Sequence, residues 1–256
     1  KLALSVAEAN EVSGRFIAEP LERGWATTLG NAIRRTLLNS IPGTAVTWVR
    51  IDSCLQEYTT IPHVREETAE ILRNIEQVRL RALADRPGRL RLEVEGEGEV
   101  RAGDIMTSSD FEIVNPELHI ATLDSNEARL SIELNVEQGS GYTPASHDGG
   151  LPIGVSPVDA IFSPIRKVSF SVENTRVGQR TDLERLVLEV STDRTISPID
   201  GVRAGSKLLM ERFYLFTNLG IIDDTDDTIG IGLEPGPYNT PVEQLGLSAR
   251  TLNCLK

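Results

Sequence analysis

The sequence predicts an α+β protein, built from antiparallel strands and two long helices, and three observations predict it. Several stretches alternate apolar and polar residues with period two: Leu90, Leu92 and Val94; Leu130, Ile132, Leu134 and Val136; Val168, Phe170 and Val172; Leu186, Leu188 and Val190. That period marks half-buried antiparallel strands. The stretch from Glu19 to Gly43 instead repeats its apolar residues with helical period, and a second helical stretch opens at Ser197 and Pro198, an N-cap followed by proline at the first helical position.

In chain order, Gly14 to Glu19 reads as a strand in which Phe16 and Ala18 alternate with polar or edge positions. It runs into the first helix. There Leu29, Ala32, Ile33, Thr36 and Leu37 gather on one arc, the width of a stripe that covers a core. The opposite arc carries Asn31, Arg34, Arg35 and Leu38, a leucine framed by arginines. Arginine and large apolar groups are favoured interface anchors, so this arc reads as a surface for a partner, although an Arg-Arg pair on a helix is often only a solvated face. Pro42 and Gly43 stop the helix. Ala45 to Ile51 is apolar and β-branched, a strand that ends in a turn at Asp52 and Ser53. A short helix is expected at Glu66 to Ile75, with Glu66 and Glu67 at its positive end and Ile71, Leu72 and Ile75 on one face. The Gly-, Ser- and Pro-rich stretch from Gln138 to Gly154 reads as a surface loop.

The second long helix is apolar on two sides. Ile199, Val202, Leu209, Met210, Phe213 and Phe216 form one stripe, and Ala204, Leu208, Leu215 and Leu219 form another. Such a helix has to be covered twice, once by its own sheet and once by something else, for which a second copy of the chain is the economical choice. Gly201 and Gly205 each cost about 1 kcal/mol in a helix interior relative to Ala; they imply either close helix approach or frayed first turns. Beyond Gly220 the acidic, Gly- and Pro-punctuated stretch reads as a linker, and Ser248 opens a helix that ends before it is complete.

Composition bounds the function. The chain has 256 residues with a net charge of −12, which disfavours a broad phosphate-gripping surface. It shows no signal-peptide pattern and no apolar run near the roughly 20 residues that span a bilayer, so a soluble, cytoplasmic protein is expected. Cys54 and Cys254 offer neither a disulfide framework nor zinc spacing. His63, His119 and His147 are scattered, and the aspartates at 223, 224, 226 and 227 fail the EF-hand pattern because Ile229 stands where its glycine belongs. There is no P-loop, GxSxG or HExxH. Neither a catalytic constellation nor a metal site is therefore expected in this chain.

The stretch ERGWATTLGNAIRRTLLNSIPGTAV, Glu22 to Val46, resembles the signature helix of the alpha subunits of bacterial-type DNA-dependent RNA polymerase. The resemblance continues through QEYTTIPHV (Gln56 to Val64), NPELHIATL (Asn115 to Leu123), GSGYTPAS (Gly139 to Ser146), SPVDAIFSPIRKV (Ser156 to Val168) and ENTRVGQRTDLERLVLEV (Glu173 to Val190). It implies a discontinuous dimerisation subdomain, residues 1–42 with 167–220, made of an antiparallel sheet and two long helices. A mainly-β subdomain, 43–166, would be inserted in it, with a flexible acidic linker at 221–241 and the truncated start of a C-terminal domain at 242–256. It further implies a homodimer on which the beta and beta′ subunits assemble, with omega and sigma in the same complex. Arg35 and Leu38 would be the chief contacts to beta, beside Arg34 and Asn31. Leu208, Phe213, Leu215, Phe216 and Leu219 would be the dimerisation residues suggested by the apolar second helix. Arg250, Asn253 and Lys256 fall where the C-terminal module of such subunits contacts promoter DNA, a module that also meets activators. The magnesium and zinc of the polymerase are expected in the large subunits and no cofactor in this chain; the compartment is the cytoplasm, or a plastid. The other reading is a free-standing dimeric regulator or hydrolase that borrowed the fold.

Overall fold

Period-two stretches form strands and period-3.6 stretches form helices, in the order β1 (Ala3–Ala9), β2 (Ser13–Glu22), α1 (Trp25–Ser40), β3 (Pro42–Ile51), α2 (Thr68–Ile75), β4 (Leu80–Ala82), β5 (Gly88–Glu95), β6 (Gly98–Arg101), β7 (Ile105–Met106), β8 (Phe111–Ile113), β9 (His119–Leu123), β10 (Arg129–Ser140), β11 (Tyr142–Thr143), β12 (Val155–Pro157), β13 (Ala160–Ile161), β14 (Ile165–Val177), β15 (Arg180–Thr192) and α3 (Pro198–Thr217). The computed structural model describes residues 3–52, 60–146, 152 and 154–217. Ser53, Cys54, His147, Leu219, the linker at 221–241, and the tail at 242–256 with Arg250, Asn253, Cys254 and Lys256 lie outside the described residues. The chain divides into two compact units, Lys1–Leu209 and Met210–Lys256. The described part of the second unit is the last turns of α3.

The first unit holds two principal antiparallel sheets. One has four strands in the order β1-β2-β15-β14, which sets the start of the chain beside the strands that precede α3, with Phe16 opposite Leu188. The other has seven strands along the path β7-β5-β10-β3-β4-β8, with β12 added to β3. Alternation decides which side chains go inside: Leu130, Ile132, Leu134 and Val136 of β10 are all buried, in one core with Ile71, Leu72 and Ile75 of α2. A second core joins Phe16, Val168, Leu188 and Val190 of the four-stranded sheet to Leu37 of α1, Ile41, and Val202 of α3. Burying Leu37 completely contributes about 2 to 3 kcal/mol relative to leaving it in water.

The structure corrects five local expectations. The stretch from Glu19 to Gly43 is helical only from Trp25 to Ser40, because the chain as far as Glu22 continues β2, with Leu21 and Glu22 paired to Glu184 and Leu183 of β15. The buried stripe of α1 is Ala26, Gly30 and Leu37, so it lies rotated toward Arg34 and Leu38. The cause is Gly30: a Cβ there would stand 2.6 Å from the Phe170 ring, so the missing side chain lets the helix settle onto β14 at that point. Leu38 is consequently half-buried and packs against the second core instead of pointing wholly outward. α2 begins at Thr68, and Glu66 is buried before it, bonded to β9. The loop expected from Gln138 is strand as far as Ser140, because that segment continues the ladder against Pro42–Thr44 of β3.

The fifth correction concerns α3. Its buried residues are Pro198, Gly201, Val202 and Gly205, while Ile199 is exposed. The helix start is capped as expected, with the Asp200 N–H donating to Ser197 Oγ at 3.1 Å. The glycines serve close approach, since a Cβ at Gly205 would meet Leu37 Cδ2 at 2.8 Å and one at Gly201 would meet Ile165 Cδ1 at 3.1 Å. A propensity cost of about 1 kcal/mol per glycine is offset by burial that larger residues would prevent.

Candidate partner-binding face

α1 starts at Trp25 after Gly24, whose φ of 90° suits glycine alone. Its own residues provide no side-chain cap, and the task passes to β15: Glu184 Oε2 accepts the Ala26 N–H at 3.3 Å. A carboxylate at that end also complements the helix dipole. With one side of α1 seated on the sheet and its C-terminal half under α3, the remaining side carries Asn31, Arg34 and Arg35, all exposed.

The two arginines differ in what they touch. Arg34 Nε donates to the Val168 carbonyl of β14 at 3.2 Å, which ties its guanidinium to the sheet. The Arg35 guanidinium makes no hydrogen bond or ion pair among the described residues, and neither does the Asn39 side chain. Beside Arg35 lies an open groove of about 330 Å³ lined by Ala32, Arg35, Thr36, Asn39, Ser40 and Leu209. Ala32 and Thr36, expected on the core-covering arc, line this groove instead; Asn39 and Ser40 escaped sequence reasoning, although the i, i+4 spacing of Arg35 and Asn39 was there to be read.

On α3, Leu208 is half-buried and packs against the second core. Phe213, Leu215 and Phe216 are 60%, 45% and 72% exposed. Three large apolar side chains exposed within one turn are more than a solvated helix end needs. Leu219 cannot be placed with them, being outside the described residues.

Two polar clusters brace this framework, and no spacing in the sequence announces either. Where β15 leads into α3, Arg81 of β4 donates to the carbonyls of Thr195 at 3.0 Å and Arg194 at 2.8 Å, stitching the seven-stranded sheet to that turn. Asp193 lies 3.9 Å from both Arg79 and Arg166. Burial, then the neighbouring Arg166, pulls the Arg79 guanidinium down to about 10, and Asp193 opposes the shift. In the seven-stranded region His119 stands between two carboxylates, Nε2 at 3.0 Å from Glu66 and Nδ1 at 3.1 Å from Glu99. Burial works to raise the Glu66 carboxyl, but the Thr122 N–H, His119 and the Thr122 hydroxyl outweigh it, and the group lies below the usual carboxylate range.

Among the described residues no cluster of three or more His, Cys, Asp or Glu is placed to hold a metal ion. No helix among them is long and apolar enough to cross a membrane.

Comparison with known proteins adds two findings. Residues 49–163 match the family model of the RNA polymerase Rpb3/RpoA insert domain. Across 99% of its length the chain is 45% identical to the DNA-directed RNA polymerase subunit alpha of Herpetosiphon aurantiacus, covering 78% of that protein. The subunit of the same name from Roseiflexus castenholzii is 45% identical over 99% of the chain and 80% of its own length. That of Symbiobacterium thermophilum is 47% identical over 98% of the chain and 81% of its own length.

Proposed function

Because the chain belongs to the family of DNA-directed RNA polymerase alpha subunits, we propose that its own part in transcription is assembly: it dimerises and offers α1 to the large catalytic subunits. The observation that carries this reading is the pair of unpartnered surfaces, the exposed Asn31, Arg34 and Arg35 of α1 and the exposed Phe213, Leu215 and Phe216 of α3. A helix end with three exposed large apolar residues is suited to a self-complementary contact, which a twofold dimer provides. On α1 the free guanidinium of Arg35 and the anchored Leu38 supply the polar and apolar halves of an interface hot spot, beside Arg34 and Asn31.

In this reading residues 1–42 and 167–220 form the dimerising part and 43–166 the insert. Residues 221–241 link them to the C-terminal module for promoter DNA and activators, which Arg250, Asn253 and Lys256 begin. Nucleotidyl transfer, with its magnesium, is the work of beta and beta′, and omega and sigma complete the complex. The compartment is that of the polymerase, the bacterial cytoplasm or a plastid. The free-standing regulator or hydrolase finds no support in relatives that are named as polymerase subunits along nearly the whole chain.

Light scattering tests the reading. The purified chain should have a mass near twice 28.0 kDa and gain one beta subunit per dimer on mixing. A monomer that ignores beta would sink it.

A further inference from the structure

Resting on the reading of α1 as the face that meets beta, we propose that the groove beside Arg35 is a carboxylate socket, in which Arg35 and Asn39 together receive an Asp or Glu side chain of the beta subunit.

The argument begins with charge. The chain as a whole is acidic, with 38 Asp and Glu against 26 Lys and Arg. Yet α1, WATTLGNAIRRTLLNS, contains two arginines and no acidic residue. No neighbour on the helix can therefore neutralise Arg35 through an i, i+3 or i, i+4 pair. Arg34 has its Nε engaged with the Val168 carbonyl. Arg35 does not, and its planar guanidinium keeps the fork of donors that matches a carboxylate in two parallel hydrogen bonds.

The groove gives that charge a shape. Asn39 lies one turn beyond Arg35 on the same face, and its free amide can donate to the second carboxylate oxygen or to the peptide that carries it. Thr36 Oγ1 already donates to the Ala32 carbonyl at 3.0 Å, so it is left as an acceptor. Leu209 and Ala32 supply an apolar wall for the methylenes of an incoming side chain. At about 330 Å³ the groove has room for one side chain and its peptide group.

The test uses the full dimer and the beta subunit, with binding followed by titration and the fold checked by thermal melting. Asn39→Asp places a carboxylate one turn from Arg35, where it occupies the guanidinium and repels an incoming acid. Binding of beta should weaken at least tenfold while the dimer and its melting temperature stay as in wild type. Asn39→Ala, which removes the amide without adding charge, should weaken it a few-fold, and raising the salt should weaken wild-type binding more than that of Arg35→Ala. If Asn39→Asp binds beta like wild type while Arg35→Ala does not, the socket is wrong and the assembly reading stands. If Arg35→Ala is silent too, both fall. If Asn39→Asp shifts the monomer–dimer equilibrium and not beta binding, the groove belongs to the self-interface and the proposal is overturned.

Discussion

At the scale of single residues, adjacent arginines on one helix make different contacts: Arg34 Nε donates to the Val168 carbonyl, and Arg35 has no such bond among the described residues. Arg34→Ala removes the bond to the Val168 carbonyl and should cost about 1 kcal/mol of stability with a smaller loss of beta recruitment than Arg35→Ala, measured by urea unfolding and by pull-down. Arg35→Ala should do the reverse: an unchanged unfolding midpoint, an intact dimer and poor recovery of core enzyme. Glu66 gives a pH prediction. Its carboxyl is held below the usual range by Thr122 and His119 against the opposing effect of burial. A depressed value means that its stabilisation is fully present above the unfolded-state value near 4.5 and is lost as pH falls through the lower folded value. Glu66→Gln should therefore cost about 2 kcal/mol at pH 7, in line with hydrogen bonds to a charged group. The gap from wild type should close as melts are repeated below about pH 4.5, and a gap that does not change with pH would contradict the assignment.

At the scale of elements, the fit of α1 to the sheet depends on a missing side chain. Gly30→Val puts methyl groups where the Phe170 ring lies within 2.6 Å of the Cβ position. Overpacking of this kind costs about 1 to 3 kcal/mol, to which the helix displacement adds a shift of Arg35 away from its groove. Both lower stability and weaker beta binding are expected, whereas Gly24, with open space around it, would show only the strain of its φ of 90°. α3 is governed by the same steric logic through Gly201 and Gly205. Its helical period was evident from the sequence, but which of its two apolar sides faced the sheet was not, because glycine carries no hydropathy signal.

At the scale of the whole molecule, the proposed assembly function calls for two surfaces, one on each long helix. Phe213→Ser combined with Phe216→Ser should leave the first unit folded and bring the mass in light scattering from near twice 28.0 kDa to 28.0 kDa. A dimer that persists would remove the C-terminal turns of α3 from the interface. Arg81, by bonding to the carbonyls of Thr195 and Arg194, joins the seven-stranded sheet to the turn that starts α3.

The sequence by itself determined the fold class, the strands whose alternation sorted Leu130 to Val136 inward, the end of α1 before Pro42, and the cap at Ser197. These depend on local periodicity and backbone chemistry, which a sequence displays directly. It also marked the outward arginines and, through quoted motifs, the polymerase family. Only the tertiary structure decided the rotation of α1, the half-burial of Leu38, the difference between Arg34 and Arg35, the capture of His119 between Glu66 and Glu99, and the groove at Asn39. Each depends on what a distant segment places opposite a residue: Phe170 above Gly30, the Val168 carbonyl beside Arg34, Leu209 across from Asn39. Spacing along a chain carries no record of such neighbours, because they are chosen by how the sheets and helices pack.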